Sequence, residues 1–587
     1  MGILSKSLLL ALLALCYVTI LPTVFCIGFM DVTENAGVSG TGIGNGVAFI
    51  DYDNDGKPDL YVSSDPNDIL YHNNGDGTFT DATEDVGISF LGDGVGIAFG
   101  DYDNDGDSDI YIPVNDGPDV FFQNIGGKIF RDVTRNVKID NLARARSAAF
   151  ADFDKDGFLD IYVVNEGSPN ILYRNLNGKF FDDVSLAMDV AHTGPGRCCA
   201  WGDYDNDGDP DLYVTYKGAP NVLYRNDGNG FKDVTKIAGV EGSGNSTGTA
   251  FADYNNDGYL DICVCGNSWV YLYHNNHDGT FTDVSEKAGL TYSGENCTPS
   301  FGDYDNDGYL DLYLAVWKGK SLIYRNNGDG TFNDVTDELG LSASGNSWSA
   351  IWGDYNLDGN LDIYTSYTTR SNVLYENTGS ANNWLKVKVR GSLSNRDSIG
   401  ARLKLSSNGI TQIREVSGGS GYGSQNSLIA EFGLGEYIRA DMLEVTWSSG
   451  ISVRLKNIQA NRLIVIEENV SAVETSDERS PSSGVKENLP NTSRLLSNYP
   501  NPFNPETWIP YQIAWQSDVV IRILNSTGCL VRILKLGVKN PGYYLSQINA
   551  AYWDGKNEDG EIVAGGVYFC LLKTSDTTDI KKMILRK

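Results

Sequence analysis

Seven short acidic loops carry the residues of this chain that could do chemistry. The first reads DYDNDGKPDLYV from Asp51, with Asp at loop positions 1, 3, 5 and 9 and Gly at position 6. Carboxylates packed this closely repel one another unless a cation lies among them. A tight turn can aim alternate side chains inward, and Ca²⁺ takes about six to eight oxygen ligands, including a backbone carbonyl at position 7. The spacing therefore predicts a calcium loop.

The predicted ligands are the side chains at positions 1, 3, 5 and 9 and the carbonyl at position 7 of each loop. Of the 28 side chains, 26 are carboxylates. In chain order the ligand residues are Asp51, Asp53, Asp55, Lys57, Asp59; Asp101, Asp103, Asp105, Asp107, Asp109; Asp152, Asp154, Asp156, Phe158, Asp160; Asp203, Asp205, Asp207, Asp209, Asp211; Asp253, Asn255, Asp257, Tyr259, Asp261; Asp303, Asp305, Asp307, Tyr309, Asp311; Asp354, Asn356, Asp358, Asn360 and Asp362.

Two other interpretations of the loops were weighed. An EF-hand needs a bidentate Glu at position 12 and helices on both sides. Position 12 here is instead a strand-type residue, namely Val62, Ile112, Val163, Val214, Val264, Leu314 or Thr365. Plain Asx turns are the second alternative, because Asp, Asn and Gly are common turn residues. Seven copies with the same pattern favour the metal sites, which we expect to be structural.

The loops recur every 50 or 51 residues, and this period predicts the fold. Each period contains about four short apolar and aromatic runs separated by Gly, Asn or Asp, which is typical of antiparallel strands. We therefore predict an all-β chain with a seven-bladed β-propeller. A strand at Phe29 precedes the first loop, whereas the loop at Asp354 lacks a last strand of its own. The Phe29 strand is thus expected to complete the Asp354 blade and close the ring.

Composition limits the classes of partner. The 587 residues contain 77 acidic and 45 basic side chains, a formal net charge of −32. Such a chain is not expected to bind nucleic acid, whose phosphates attract basic surfaces. Residues 1–26 resemble a secretory signal peptide cleaved near Cys26, with an uncleaved anchor as the alternative. The seven remaining cysteines show no zinc-like spacing, and disulfides and free thiols both stay open.

Three further segments follow the repeats. Residues 381–468 are β-rich, residues 469–497 are polar and predict a flexible linker, and residues 498–587 return to β-type patterning. With a signal peptide at 1–26 and a propeller at 27–380, these give five segments.

The motifs resemble known families. The loops over about Phe29–Asn377 are similar to the FG-GAP/VCBS repeats of integrin α-like propellers. SIGARL, GSGYGSQNS, FGLG and VTWSSG in 381–468 resemble the ASPIC/UnbV domain, and the combination is similar to cartilage-acidic-protein-like secreted proteins. NPFNP and WDGKNEDGEIVAGGVYF in the last segment resemble a bacterial Ig-like C-terminal sorting domain. The resemblance implies an exported, calcium-dependent β protein on a bacterial surface, with the last domain addressing the secretion machinery.

Two functions were weighed. The first is adhesion or binding of a protein or glycan ligand outside the cell, without catalysis. The second is a Ca²⁺-dependent lyase or hydrolase acting on carbohydrate. Only four histidines occur, and no G-x-S-x-G or H-E-x-x-H motif is present, so binding is favoured. Arg146, Arg197 and Trp348 should lie at one end of the central channel and hold an anionic or sugar ligand, unless the arginines pair with neighbouring acids.

Overall fold

A computed structural model describes residues 27–40, 43–65, 67–88, 92–292, 294–341, 343–419, 421–468, 493–495, 505–509, 511–539, 542–544, 550–558, 560–574 and 578–586. The predicted signal peptide and most of the predicted linker lie outside these residues. The chain divides into two compact units, Met1–Glu474 and Thr475–Lys587. The described residues contain two short helices, Thr33–Ala36 and Thr235–Ala238, and are otherwise strands and connections. The all-β prediction is confirmed.

The strands in the described part of residues 29–377 fall into seven antiparallel groups of four, which we call blades 1 to 7 in the order of their acidic loops. From the innermost strand outward they are Ile43–Ile50, Asp59–Asp65, Ile69–Asn73 and Phe79–Asp81; Ala98–Gly100, Asp109–Ile112, Val120–Ile125 and Ile129–Asp132; Ala145–Ala151, Asp160–Pro169, Ile171–Asn175 and Phe181–Asp183; Thr193–Gly202, Asp211–Tyr216, Val222–Asn226 and Phe231–Asp233; Ser246–Ala252, Asp261–Gly266, Trp269–Asn275 and Phe281–Asp283; Cys297–Gly302, Asp311–Val316, Leu322–Asn326 and Phe332–Asp334; and Ser347–Gly353, Asp362–Tyr367, Val373–Asn377 and Phe29–Asp31. Five blades are separate four-stranded sheets, whereas blades 3 and 4 are joined into one eight-stranded sheet because Asp160–Pro169 pairs with Thr193–Gly202. Gly319–Lys320 and Ser344–Gly345 form a further two-stranded sheet.

The ring closes through the first strand of the chain. Phe29–Asp31 pairs with Val373–Asn377, with Phe29 opposite Asn377, so the outermost strand of blade 7 comes from the start of the described chain. The innermost strands of blades 1 and 7 also contact each other. The predicted role of the Phe29 strand is confirmed. This pairing gives blade 7 its fourth strand and joins the two ends of the ring.

A buried asparagine at the end of every third strand links each blade to the preceding one. Its side-chain amide donates to the carbonyl of loop position 2 in that blade at 2.7–2.8 Å, including the link from blade 1 back to Tyr355 of blade 7. All seven are at most 2% exposed: Asn73, Asn124, Asn175, Asn226, Asn275, Asn326 and Asn377. These hydrogen bonds fix the spacing between neighbouring loops.

Replacing one of these asparagines is expected to be costly. The Asn326 amide donates to Tyr254 O at 2.7 Å and to Leu310 O at 3.0 Å. Asn326→Ala leaves both buried carbonyls without a donor and should lower the free energy of unfolding by about 2 to 4 kcal/mol. The neighbouring Asn327→Ala, which removes an exposed contact to Thr331, is the control and should cost under about 1 kcal/mol. Equal losses in denaturant titrations would contradict the proposed role.

A second β region completes the first unit, and we call its residues 383–467 the cap. Its strands are Asn383–Arg390, Arg402–Ser407, Ile410–Glu415, Ala430–Gly435, Arg439–Thr446, Ser452–Gln459 and Arg462–Glu467. They form a three-stranded sheet, with Asn383–Arg390 between Ala430–Gly435 and Arg462–Glu467, and a four-stranded sheet of the other four. Apolar cap residues such as Leu385 and Leu403 share one buried cluster with Phe150 and Leu159 of blade 3.

The second unit is also built of strands. They are Arg494–Leu495, Thr507–Ile509, Tyr511–Ile513, Ser517–Asn525, Leu530–Lys539, Gly542–Tyr544, Ala551–Trp553, Gly566–Lys573 and Thr578–Leu585. The largest of its sheets has the order 530–539, 517–525, 566–573, 578–585. Arg494–Leu495 lies inside the segment predicted as linker, so at these two residues the linker prediction is corrected to strand. They pair with Tyr511–Ile513, which buries Leu495. The Ig-like assignment stays a prediction.

The described cysteines carry free thiols, most of them buried. Cys198, Cys199, Cys263, Cys265, Cys297, Cys529 and Cys570 are free thiols, and only Cys529 is exposed among them. Burial raises the pKa of Cys198 to about 12, so that thiol is unreactive at neutral pH. No helix within the described ranges is long and apolar enough to cross a membrane.

Candidate metal centres

Each acidic loop joins the innermost strand of its blade to the second strand. The glycine at position 6 has a left-handed φ between 88° and 98° in every loop, which is the turn that the sequence predicts. Its N–H donates to the carboxylate at position 1, for example from Gly106 to Asp101 at 2.7 Å. The position-9 aspartate is buried and accepts the N–H of the third-strand asparagine, as Asp109 does from Asn124 at 2.8 Å.

Position 4 also has a left-handed φ, of 55° to 63°, which the sequence analysis missed. Asn occupies it in five loops, and its side-chain amide donates to the position-6 carbonyl of the next blade at 2.8–3.2 Å. Lys155 makes the corresponding contact in blade 3 at 3.4 Å. This belt of hydrogen bonds runs around the loop face of the ring. It is interrupted at blade 7, where position 4 is Leu357.

Leu357→Asn is expected to stabilise the protein. Leu357 holds φ 61° and is 48% exposed, so the replacement relieves strain of about 1 kcal/mol and buries no polar group. The new amide should also reach the carbonyl of Gly56 and close the belt, as the other asparagines do. We expect a gain of about 1 to 2 kcal/mol in denaturant titration. Leu357→Gly, which relieves only the strain, is the control, and a loss of stability with Leu357→Asn would contradict this interpretation.

Several loop oxygens are buried without a hydrogen-bond donor. In the described residues these include Asp103 Oδ1 of blade 2, Asp152 Oδ1 and Asp154 Oδ1 of blade 3, and Asp205 Oδ1 of blade 4. In each of these blades the carboxylates at positions 1, 3 and 9 bring one oxygen apiece to within 4.8 Å of one another. Buried polar atoms are normally paired, so these oxygens indicate a missing electropositive partner.

The electrostatics of the loops point the same way. Burial and the neighbouring carboxylates Asp156 and Asp154 raise the pKa of Asp152 to about 7. Burial and Asp397 raise the pKa of Asp101 to about 8. Burial also raises the pKa of Asp109, Asp160 and Asp211 at position 9 well above its usual range. A divalent ion among these oxygens would offset the burial and the repulsion, because a bound cation is the largest local charge in such a site. The donor set, oxygen throughout in blades 2 to 4, fits Ca²⁺.

The residue before the linking asparagine on the third strand faces the loop and differs from blade to blade. In order it is His72, Gln123, Arg174, Arg225, His274, Arg325 and Glu376. Gln123 donates to Asp103 Oδ2 at 2.7 Å, and Arg174 Nη2 lies 2.5 Å from Asp154 Oδ2 and 3.7 Å from Asp156 Oδ2. In blade 1, His72 Nδ1 lies 3.2 Å from Asp59 and 3.5 Å from Asp53. The seven loops therefore have the same backbone conformation but differ in the third-strand side chain that lies next to them.

The cap covers the loop face and contacts the aspartates at position 1. Lys388 Nζ lies 3.1 Å from Asp51, and Arg402 lies 3.7 Å from Asp203. Lys386, only 7% exposed, forms an ion pair with Asp354 and lies 3.4 Å from Glu431. The other contacts are Asp397 with the Asp101 N–H, Ser448 with Asp152, and the Gly433 N–H with Asp303. The predicted metal loops thus lie at an interface between the ring and the cap.

A cap segment enters the central channel, and we call its described residues, 417–419 and 421–427, the plug. The N–H groups of Phe150, on the inner strand of blade 3, and of Ile97, just before the inner strand of blade 2, donate to Gly418 O and Gly423 O at 3.0 and 3.1 Å. The plug also donates, from the Gln425 N–H to Val47 O at 3.1 Å. A Cβ on Gly423 would lie 2.7 Å from the Gly96 Cα, so only glycine fits there.

Arg146, Arg197 and Trp348, predicted as ligand residues, lie around the tip of the plug. Trp348 stacks on Tyr422 with ring centroids 5.3 Å apart, and on Trp317 at 4.1 Å. Arg146 pairs with Glu166, and Arg197 Nη2 donates to the same carboxylate at 2.9 Å. Despite partial burial of Glu166, the two arginines lower its pKa. The structure therefore brings the three predicted residues together and also shows the pairing with an acid that was the alternative.

Comparison with protein-family models gives two matches. The FG-GAP-like repeat matches residues 51–112, 152–214, 203–264, 253–314 and 303–365. The model described as ASPIC and UnbV matches residues 391–473, which include most of the cap.

Curated relatives include cartilage acidic protein 1 from three species. The Xenopus tropicalis protein is 31% identical over 118 residues, which are 19% of this chain and 18% of that protein. The Mus musculus and Homo sapiens proteins are 27% and 26% identical over 346 residues, which are 57% of this chain. The chain spans only 38% of the length of these two relatives.

Solved structures with a similar arrangement include an Agrocybe aegerita lectin that recognises non-reducing terminal N-acetylglucosamine. The lectin is 19% identical to this chain, with a TM-score of 0.37. The match covers 57% of this chain and 94% of the lectin. A rhamnogalacturonan lyase is 14% identical to this chain, with a TM-score of 0.35. The match covers 57% of this chain and 72% of the lyase. The chain therefore contains FG-GAP-like repeats and an ASPIC and UnbV domain, and it is similar to cartilage acidic protein 1.

Proposed function

We propose that this chain is an exported, calcium-stabilised binding protein that acts at the cell surface or in the surrounding matrix, without catalysis. The observation that carries the calcium proposal is the set of buried loop oxygens without a donor, in loops whose carboxylates converge. Affinities of about 0.1 to 1 mM per site, typical of extracellular modules, would suffice outside a cell and leave the sites empty inside one. Export with cleavage near Cys26 and recognition of the last domain by the secretion machinery belong to the same proposal.

The ligand surface that we propose is the channel mouth around the plug tip. Trp317, Trp348 and Tyr422 form a stacked row of partly or fully buried rings, and the Arg146–Glu166–Arg197 group lies next to it. Aromatic faces bind the apolar faces of sugar rings, while arginine and carboxylate groups hydrogen-bond to their hydroxyls. We therefore propose a glycan as the ligand, with a protein surface as the other candidate.

A glycan screen on the calcium-loaded full chain tests this proposal. Trp348→Ala and the double variant Arg146→Ala/Arg197→Ala should each lose most of the binding. Trp269→Ala, which removes an aromatic stack on Tyr271 in blade 5, and Arg370→Ala, which removes a contact with the Tyr367 ring, are the matched controls. Unchanged glycan binding in Trp348→Ala and in Arg146→Ala/Arg197→Ala would contradict the assignment of the channel mouth as the ligand surface.

The alternative function is a carbohydrate lyase or hydrolase on the same propeller. A depolymerisation assay beside the glycan screen separates the two functions. If the calcium-loaded chain releases shortened products and Trp348→Ala does not, the result would support catalysis at the channel mouth over binding alone.

A further inference from the structure

Blade 5 differs from the other loops because two of the four histidines in the chain lie against it. His274, on the third strand, places Nδ1 3.2 Å from Asp261 Oδ1 and 3.9 Å from Asp257 Oδ2. His277, in the turn after that strand, places Nε2 3.1 Å from the same Asp257 oxygen. Two imidazoles from different elements therefore converge on the carboxylates of one acidic loop.

The backbone at His277 is unusual for its residue type. His277 has φ 63°, whereas Gly75 and Gly328 occupy the same turn position in blades 1 and 6 with φ 75° and 73°. A left-handed conformation is unfavourable for a residue with a Cβ. The ring is nevertheless fixed, because it stacks on Tyr259 at 3.9 Å with an interplanar angle of 14°. Histidine thus replaces the glycine that the turn favours, and its side chain is held against the loop.

One oxygen of the loop is buried and lacks a donor. Asp261 is 1% exposed, and its Oδ2 has no hydrogen-bond partner among the described residues. Its other oxygen, Oδ1, accepts the Asn275 N–H at 2.8 Å and lies next to His274. In the other six blades the corresponding Oδ2 accepts the N–H of loop position 2, so Oδ1 is the Asp261 oxygen that faces the imidazole.

The separations between the donor atoms suit a small transition metal. In a tetrahedral site with metal–ligand distances of 2.0–2.2 Å, the donor atoms lie about 3.4 Å apart. The three separations measured here are 3.1, 3.2 and 3.9 Å. Imidazole with carboxylate is a ligand set for Zn²⁺ and its neighbours in the first transition row, whereas Ca²⁺ prefers oxygen alone.

We propose that His274, His277, Asp257 and Asp261 bind a divalent transition metal of the Zn²⁺ class, so that blade 5 is a second kind of metal site in the ring. This inference rests on the proposed function in one respect, namely that the acidic loops are cation sites. Blade 1 offers only His72 beside Asp53 and Asp59, so it supplies one nitrogen where blade 5 supplies two. The transition-metal site is therefore assigned to blade 5.

The test uses the full chain in saturating Ca²⁺ and titrates it with Co²⁺, whose visible absorption reports nitrogen and oxygen ligands, followed by displacement with Zn²⁺. We expect one tight site. His277→Gly restores the residue that the turn favours in blades 1 and 6, and His274→Gln introduces the residue found at the same place in blade 2, so both variants should fold. Each should weaken Co²⁺ and Zn²⁺ binding by more than the roughly 10- to 100-fold that loss of an outer-shell partner costs.

His192→Gln is the control, because His192 packs against the Tyr216 ring, with centroids 4.7 Å apart, away from the loops and should leave Co²⁺ binding unchanged. Transition-metal binding that is absent, or equally strong in His277→Gly and His274→Gln, would overturn the proposal. Calcium-dependent melting of the same variants separates this outcome from failure of the proposed function. If Ca²⁺ still raises the melting temperature but no transition metal binds, only the blade 5 inference fails. If Ca²⁺ does not raise the melting temperature of the parent chain, the calcium loops themselves are contradicted.

Discussion

Chelation of Ca²⁺ is expected to lower the melting temperature of the full chain by at least about 10 °C. A ligand that binds only the folded state stabilises it by RT ln(1 + [L]/Kd). At about 2 mM Ca²⁺ and a Kd of about 0.1 to 1 mM, each loop gains about 0.7 to 1.8 kcal/mol. Seven loops together gain roughly 5 to 12 kcal/mol, comparable with the whole stability of a typical domain.

The experiment compares melting in Ca²⁺, in EGTA, and in EGTA followed by excess Ca²⁺. Restoration by added Ca²⁺ controls for irreversible unfolding. Asp207→Ala, at position 5 of blade 4, should remove one loop's share of the calcium shift and leave the melting temperature in EGTA nearly unchanged. Asp227→Ala removes an exposed partner of Arg225 in the following turn and is its control. Identical melting with and without calcium would contradict the structural role of the loops.

Lys386→Met is expected to lower the free energy of unfolding by about 3 to 5 kcal/mol, because it leaves the largely buried Glu431 carboxylate without its cation. Burial lowers the pKa of Lys386, but Glu431 and Asp354 outweigh that effect and raise it, so the amine is charged. Glu431, on the neighbouring cap strand Ala430–Gly435, would lose the ammonium group that lies 3.4 Å from it. The measurement is denaturant unfolding in saturating Ca²⁺.

Lys388→Met is the matched control, since Lys388 lies two residues along the same strand and is a quarter exposed. Its pair with Asp51 should be worth under about 1 kcal/mol. A double variant, Lys386→Met/Glu431→Leu, should recover part of the loss, because it removes the stranded carboxylate together with its partner. Equal losses for Lys386→Met and Lys388→Met would show that burial of the Lys386 pair does not hold the cap.

The repeating features of this molecule could be predicted from the sequence because they are local. The loop spacing predicts the left-handed glycine at position 6, and the missing last strand predicts that the Phe29 strand completes the Asp354 blade. The left-handed conformation at loop position 4 could also be predicted from the sequence. Asn is a residue that tolerates this conformation and occupies the position in five loops, but Lys155 and Leu357 obscured the pattern.

The contacts made by the cap could not be predicted in the same way. Lys386 and Lys388 meet Asp354 and Asp51, and in the second pair the partners are 337 residues apart in the chain. Alternation along a strand indicates which side chains share a face, but it does not say which surface that face meets. The glycines of the plug suggest close backbone approach, yet the channel they enter is defined only by the assembled ring.

Direct counting of bound calcium is the most immediate test of the central claim that the acidic loops are metal sites. Purified full chain, stripped with chelator and dialysed against Ca²⁺ at several concentrations, would be analysed for protein-bound calcium by atomic emission. The seven loops predict about seven ions per chain at saturation, with half-saturation at about 0.1 to 1 mM. Binding of no calcium, or of a single ion per chain, would contradict the account.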